Sequence, residues 1–139
     1  MHPLVALVTV LALMLFFWQA LRVGSARGRL GVEAPATSGN PEFERYFRVH
    51  ANTLEGLMVF LPALWLFAIF VSEWVAVGLG LVWLVGRLIY TIAYSREASR
   101  RGTGFAIQAL AMLALLLGAG GGVVWSLIQT VMAHKSVVG

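Results

Sequence analysis

Four stretches of this chain, residues 4–21, 56–71, 74–94 and 105–133, are nearly free of charge, and the third holds Arg87 as its one charged residue. About 20 consecutive apolar residues suffice for a helix to cross the hydrocarbon core of a bilayer. Composition supports that reading. Of 139 residues, 60% are hydrophobic and 12% charged, with a mean hydropathy of +0.85, against about 25% charged in soluble domains. A soluble globule this small has no interior large enough to hide so much apolar surface, and a disordered chain needs more charge and fewer large apolar side chains. The expectation is an all-α integral membrane four-helix bundle, one domain over residues 1–139, with spans at about 3–23, 42–71, 74–95 and 104–132.

Arginine sets the orientation. Arg22, Arg27, Arg29, Arg45 and Arg48 surround the first connection, and Arg96, Arg100 and Arg101 lie in the third. The second connection offers Ser72 and Glu73, and the C-terminal tail only Lys135. By the positive-inside rule the first and third connections are cytoplasmic and both termini lie outside, in a multi-pass topology. The first span has no basic segment before it, only His2, and basic residues after it. It therefore reads as a retained span rather than a cleaved signal. The sequence pI near 10.4 reports this topology, and no nucleic-acid partner is expected.

Residues 24–41, with Gly, Ser, Pro, Thr and Asn, read as a loop. Pro41 followed by Glu42 and Glu44 marks a helix start. Pro62 falls inside the second span, where a kink is expected, and Gly118 with Gly122 forms a GxxxG suited to close helix packing. With no cysteine, and with His2, His50 and His134 far apart, no metal site is expected and the protein has no thiol nucleophile of its own.

The informative residues are polar ones at bilayer depth. Arg48, Asn52 and Glu55 follow each other at four and three positions and share one helical stripe, which Arg45 precedes. Arg87, Tyr90 and Tyr94 recur at three and four on the third span, and Arg101 lies just beyond it. Interfacial anchoring accounts for Arg96, Arg100, Arg22 and Trp18, and in that reading Glu55 simply pairs with Arg48. Asn52 and Glu55 lie one and two turns deeper, where ionisable groups usually face a site. Several arginines with one glutamate, one asparagine and two tyrosines suit a small ligand with two carboxylates and one ammonium, such as glutathione. A phospholipid headgroup fits an arginine cluster as well.

At these residues the chain resembles a known family. Pro41-Glu42-Phe43-Glu44-Arg45-Tyr46-Phe47-Arg48, followed by Asn52, Glu55 and Pro62, then Gly86-Arg87-Leu88-Ile89-Tyr90, Tyr94 and Arg101-Gly102-Thr103-Gly104-Phe105, resemble the MAPEG proteins, membrane-associated proteins of eicosanoid and glutathione metabolism. The chain looks most like their microsomal glutathione transferase and leukotriene-C synthase branch. The resemblance implies a homotrimer of four-helix protomers, with glutathione as co-substrate between neighbours near the cytoplasmic face. It assigns Arg27, Arg48, Asn52, Glu55, Arg87, Tyr90 and Tyr94 to glutathione binding and Arg101 to thiol activation. The partners it implies are glutathione, a hydrophobic electrophile or lipid substrate, and membrane lipid. His50 stands where relatives often carry Gln, Gly56 where many carry Tyr, and Gly28 where the leukotriene-forming relatives have a second arginine. These departures concern the lipid substrate more than the glutathione site.

The expected function is a detoxifying glutathione transferase or peroxidase. The alternative is a non-catalytic lipid- or glutathione-binding protein of the same family. A small transporter, with intramembrane Arg and Glu lining a pathway, lacks the repeats and broken helices of that class.

Overall fold

The computed structural model describes residues 1–138, and the side chains of residues 1–135; Gly139, the end of the expected domain, lies outside the described residues. The chain folds as four long helices: α1 (Pro3–Leu30), α2 (Pro41–Phe70), α3 (Glu73–Arg96) and α4 (Gly102–Val138). A single 3-10 turn, Ala98–Arg101, precedes α4. Each helix is long and apolar enough to cross a membrane.

The expected loop from residue 24 is shorter than its composition suggests. α1 continues through Gly24 and Gly28 and ends at Gly31, whose φ of +67° is the left-handed conformation glycine adopts without strain. Both earlier glycines face open space, while Val23 and Ala26 pack with Val32 and Phe43. Burial of that one face sustains the helix against two unfavourable residues. Likewise α4 begins at Gly102, so Arg101 closes the turn directly before it.

The start of α2 follows the sequence expectation. The Asn40 side chain accepts from the N–H groups of Glu42 and Phe43 at 2.9 and 3.2 Å, Pro41 opens the first turn, and Glu42 and Glu44 lie in it. The helix then runs through Pro62 to Phe70 without interruption. Ser72 caps α3 in the same manner, accepting from Val75 N.

The core is built where α2 and α3 meet α1 and α4. Val5, Val8, Phe60, Leu64, Trp83, Leu115 and Ala119 belong to one buried cluster, and Phe60 stacks on Trp83 at 3.9 Å between centroids. Gly118 packs on the Phe67 ring, and Gly122 on Phe70 and Val71. The GxxxG track therefore serves contact between α4 and α2 within the chain. Outside, Leu7, Met14, Phe17, Leu110, Leu117 and Trp125 are exposed. Only 22% of the most apolar stretch of α1, and of α4, is buried within the chain, which leaves an apolar exterior suited to lipid. At the end away from Arg101, His2 Nδ1 meets Glu73 Oε2 at 3.0 Å and joins the starts of α1 and α3.

A candidate glutathione site along α2 and α3

The two polar stripes face each other. Asn52 Nδ2 donates to Tyr90 Oη at 2.7 Å, bridging α2 and α3. The Tyr90 and Tyr94 rings stack with centroids 5.5 Å apart and planes 8° from parallel, and Val49 packs with them. Glycine permits this approach from the other side as well. A Cβ at Gly104 would collide with the backbone of Tyr90, and one at Gly86 would stand 2.7 Å from Gln108 N. Thus α4 lies close along the back of the tyrosine face.

Two cavities flank the tyrosine pair. One, about 490 Å³, is lined by Arg45, Arg48 and Tyr94 together with Thr37, Ser38 and Glu44. The other, about 380 Å³, is lined by Asn52, Glu55, Gly56, Arg87 and Tyr90, with Phe105, Gln108 and Met112 contributed by α4. Of the eight residues assigned from sequence, six thus line two adjacent cavities. Arg101 is exposed, with its guanidinium carbon 5.5 Å from the Tyr94 ring centroid.

Arg27 is used differently. Its Nη1 donates to Val32 O at 3.3 Å and Ala36 O at 2.7 Å, and its guanidinium lies over the Phe43 ring. It holds the connection after α1 and lines neither cavity. Arg45 also helps tie the helices, its Nε donating to Ser95 O at 3.2 Å.

The charged groups at the deeper cavity, Arg87 and Glu55, are unpaired. Arg87 is 4% exposed, its guanidinium lies over Trp83 and Tyr90, and its buried Nε has no partner. None of the ion pairs among the described residues includes Arg87, Arg48 or Glu55. The anchoring pair Glu55–Arg48 is therefore not formed: the two lie seven positions apart, about 10 Å along a helix axis. A desolvated guanidinium without a counter-charge is costly unless a ligand supplies one.

Three features escape sequence reasoning. Gly56 makes room for Arg87, because a Cβ there would stand 2.6 Å from Arg87 Nη2. Gln19 Nε2 donates to Thr91 Oγ1 at 2.8 Å, and that hydroxyl donates to Arg87 O at 2.7 Å, fixing the backbone at Arg87 from α1. Gln108, 3% exposed, lines the deeper cavity. A Gln flanked on both sides by apolar residues inside a span is the signal that could have found the last, since buried amides need partners.

On the turn after α3, Arg100 Nε pairs with Glu97 Oε2 at 2.6 Å. The Ser99 hydroxyl, and then Arg100, hold the Glu97 carboxyl below its ordinary range. Arg100 is thus occupied, and its neighbour Arg101 enters no ion pair among the described residues. An arginine keeps its proton, so Arg101 can supply fixed positive charge and N–H donors but cannot serve as a base. Among the described residues no three His, Asp or Glu side chains gather as metal ligands would.

Comparison with known proteins gives the family. The profile of the MAPEG family matches residues 5–121. A Synechocystis protein carrying the name "Uncharacterized protein sll1147" is 48% identical over 124 residues, covering 89% of this chain and 90% of its own. Human microsomal glutathione S-transferase 2 is 42% identical over 113 residues, covering 81% and 76%. Rat leukotriene C4 synthase is 44% identical over 98 residues, covering 70% and 65%. The matched region takes in all of α2 and α3 and the Arg101 turn, and the chain belongs to the MAPEG family.

Proposed function

We propose that the protein is a membrane-bound glutathione transferase that activates the glutathione thiol as thiolate, for attack on hydrophobic electrophiles or for reduction of lipid hydroperoxides. The observation that carries this reading is the buried Arg87, which makes no ion pair among the described residues, sharing a cavity with the unpaired Glu55. Glutathione brings two carboxylates for arginines and one ammonium for a glutamate, together with a thiol that this cysteine-free chain lacks. The names of the human and rat relatives support the same class of chemistry.

In this reading Arg48 and Arg87 take the carboxylates, Glu55 the ammonium, and Asn52, Tyr90 and Tyr94 neutral hydrogen bonds. Arg27 supports the site by holding the connection after α1. Arg101 faces the sulfur. A free thiol has a pKa near 8.5 and is only a few per cent ionised at neutral pH. A guanidinium within about 4–6 Å favours the anion by roughly 1–3 units. The thiolate displaces a leaving group from, or adds to, an electrophile dissolved in the membrane. With a hydroperoxide it attacks the outer oxygen; the O–O bond breaks, the alkoxide takes a proton, and a second glutathione converts the sulfenic acid to disulfide and water.

The reading includes a homotrimer with glutathione between neighbours, the first and third connections cytoplasmic, and both termini outside. The arginines around the two connections support the orientation, and the apolar exterior of α1 and α4 supports placement in a membrane. Crosslinking in mild detergent should stop at trimer, and a ladder ending at dimer would contradict the assembly. Labelling of a cysteine at Ser38 from outside intact cells would reverse the orientation.

Detergent-purified protein should turn over a generic aryl halide electrophile with glutathione, saturably in both. Binding of glutathione without turnover would identify a non-catalytic member, and absence of both would remove the proposal.

A further inference from the structure

Charge matching accounts for the ends of glutathione but not for its two peptide units, and the deeper cavity contains one neutral polar group still unassigned. Gln108 projects from α4, is 3% exposed, and lines the cavity shared by Asn52, Glu55 and Arg87. Its Oε1 is buried and has no hydrogen-bond partner. At the other amide of this cavity Asn52 Nδ2 donates to Tyr90 Oη, whereas no donor meets Gln108 Oε1. Gln108 is also fixed in place: its backbone lies against Gly86, where even a Cβ would approach Gln108 N to 2.7 Å. An acceptor buried without a donor loses its hydration and gains nothing in return. Because Gln108 lines a cavity that also holds Asn52, Glu55 and Arg87, a ligand N–H entering there would give this acceptor its donor.

We propose that Gln108 is a glutathione-binding residue whose Oε1 accepts from a peptide N–H of the tripeptide. The inference rests on the glutathione reading above and adds to it. The neighbouring chemistry orders the contacts. Glu55 and Arg87 hold charged groups from α2 and α3, and Gln108 reads the uncharged backbone between them from α4. Phe105 and Met112, on the same helix, give the cavity an apolar wall, and in such surroundings a neutral hydrogen bond discriminates strongly against a ligand that lacks the donor.

The test uses glutathione and two analogues in which one or the other peptide N–H is replaced by an ester oxygen, leaving both carboxylates, the ammonium and the thiol. Affinities are measured calorimetrically on the full-length protein in detergent, unmodified and as Gln108→Leu, Gln108→Met and Glu55→Gln. On the unmodified protein one analogue should bind about tenfold more weakly than glutathione. That deficit should vanish in Gln108→Leu or Gln108→Met, both of which should bind glutathione itself about tenfold more weakly. Two analogues that bind the unmodified protein as tightly as glutathione would overturn the inference, whether or not the variants fold. So would a deficit that persists undiminished in the Gln108 variants. If Glu55→Gln weakens glutathione binding while these Gln108 effects are absent, the inference fails alone. If glutathione does not bind, or Glu55→Gln leaves its affinity intact, the underlying reading fails and takes the inference with it.

Discussion

Arg87 occupies the space in which a side chain at Gly56 would begin: a Cβ there would stand 2.6 Å from Arg87 Nη2. Glycine at position 56 thus has a local consequence. It lets a guanidinium from α3 lie directly against the backbone of α2, one residue from Glu55. A positive and a negative group are thereby brought to one cavity without being paired to each other.

Gly56→Ala should therefore act on the ligand more than on the fold. The atom to be displaced is the tip of a flexible side chain, and the helix gains from replacing glycine by up to about 1 kcal/mol. Thermal unfolding in detergent should change little, while glutathione affinity falls several-fold as the Arg87 head moves. Unchanged affinity would mean that the position of Arg87 is not critical to binding.

Glu55→Gln and Arg48→Met remove charges that make no ion pair among the described residues, so neither leaves a broken ion pair behind. Each should weaken glutathione binding by about tenfold to a hundredfold, the range for hydrogen bonds to charged groups, with unfolding temperatures close to the unmodified protein. The two variants probe different cavities, since Arg48 lines the one beside Tyr94 and Glu55 the deeper one. Loss in Glu55→Gln alone would confine glutathione to the deeper cavity.

The adjacent arginines of the 3-10 turn separate chemistry from surface charge. Arg101 lies over Tyr94, whereas Arg100 is paired with Glu97. Arg101→Leu should lower kcat more than glutathione affinity, because its contribution grows as the thiol ionises. The loss should shrink as pH rises toward the free thiol pKa of about 8.5, and it stays below the full change in thiolate fraction because a less acidic thiol is the better nucleophile once ionised. Arg100→Leu should be nearly silent. The Glu97 carboxyl is held below its ordinary range, so any stabilisation from it is present above the unfolded carboxylate pKa and fades only as pH falls through the lowered folded value. The neutral range is untouched by that titration. Equal loss in both arginine variants would assign the effect to general positive charge on the turn.

Much of this was legible because periodicity and charge are local properties. The Pro41 start, the four apolar helices, and the stripes Arg48–Asn52–Glu55 and Arg87–Tyr90–Tyr94 follow from spacing along single helices. What escaped depends on packing between helices. α1 outlasts Gly24 and Gly28 because Val23 and Ala26 are buried against Phe43 and Val32, partners that composition does not reveal. Arg27 belongs to the same arginine cluster in sequence, yet Val32 O and Ala36 O claim its Nη1. Gln108 has no polar neighbour at helical spacing on α4; its setting comes from Gly86 and from residues of α2 and α3.

The central claim is that this chain makes a thiolate. It is tested most directly by ultraviolet difference absorbance as glutathione is added to detergent-purified protein at neutral pH. The account predicts a thiolate band that rises saturably with glutathione and collapses in Arg101→Leu, but not in Arg100→Leu. Saturable glutathione binding with no thiolate band in the unmodified protein would contradict it.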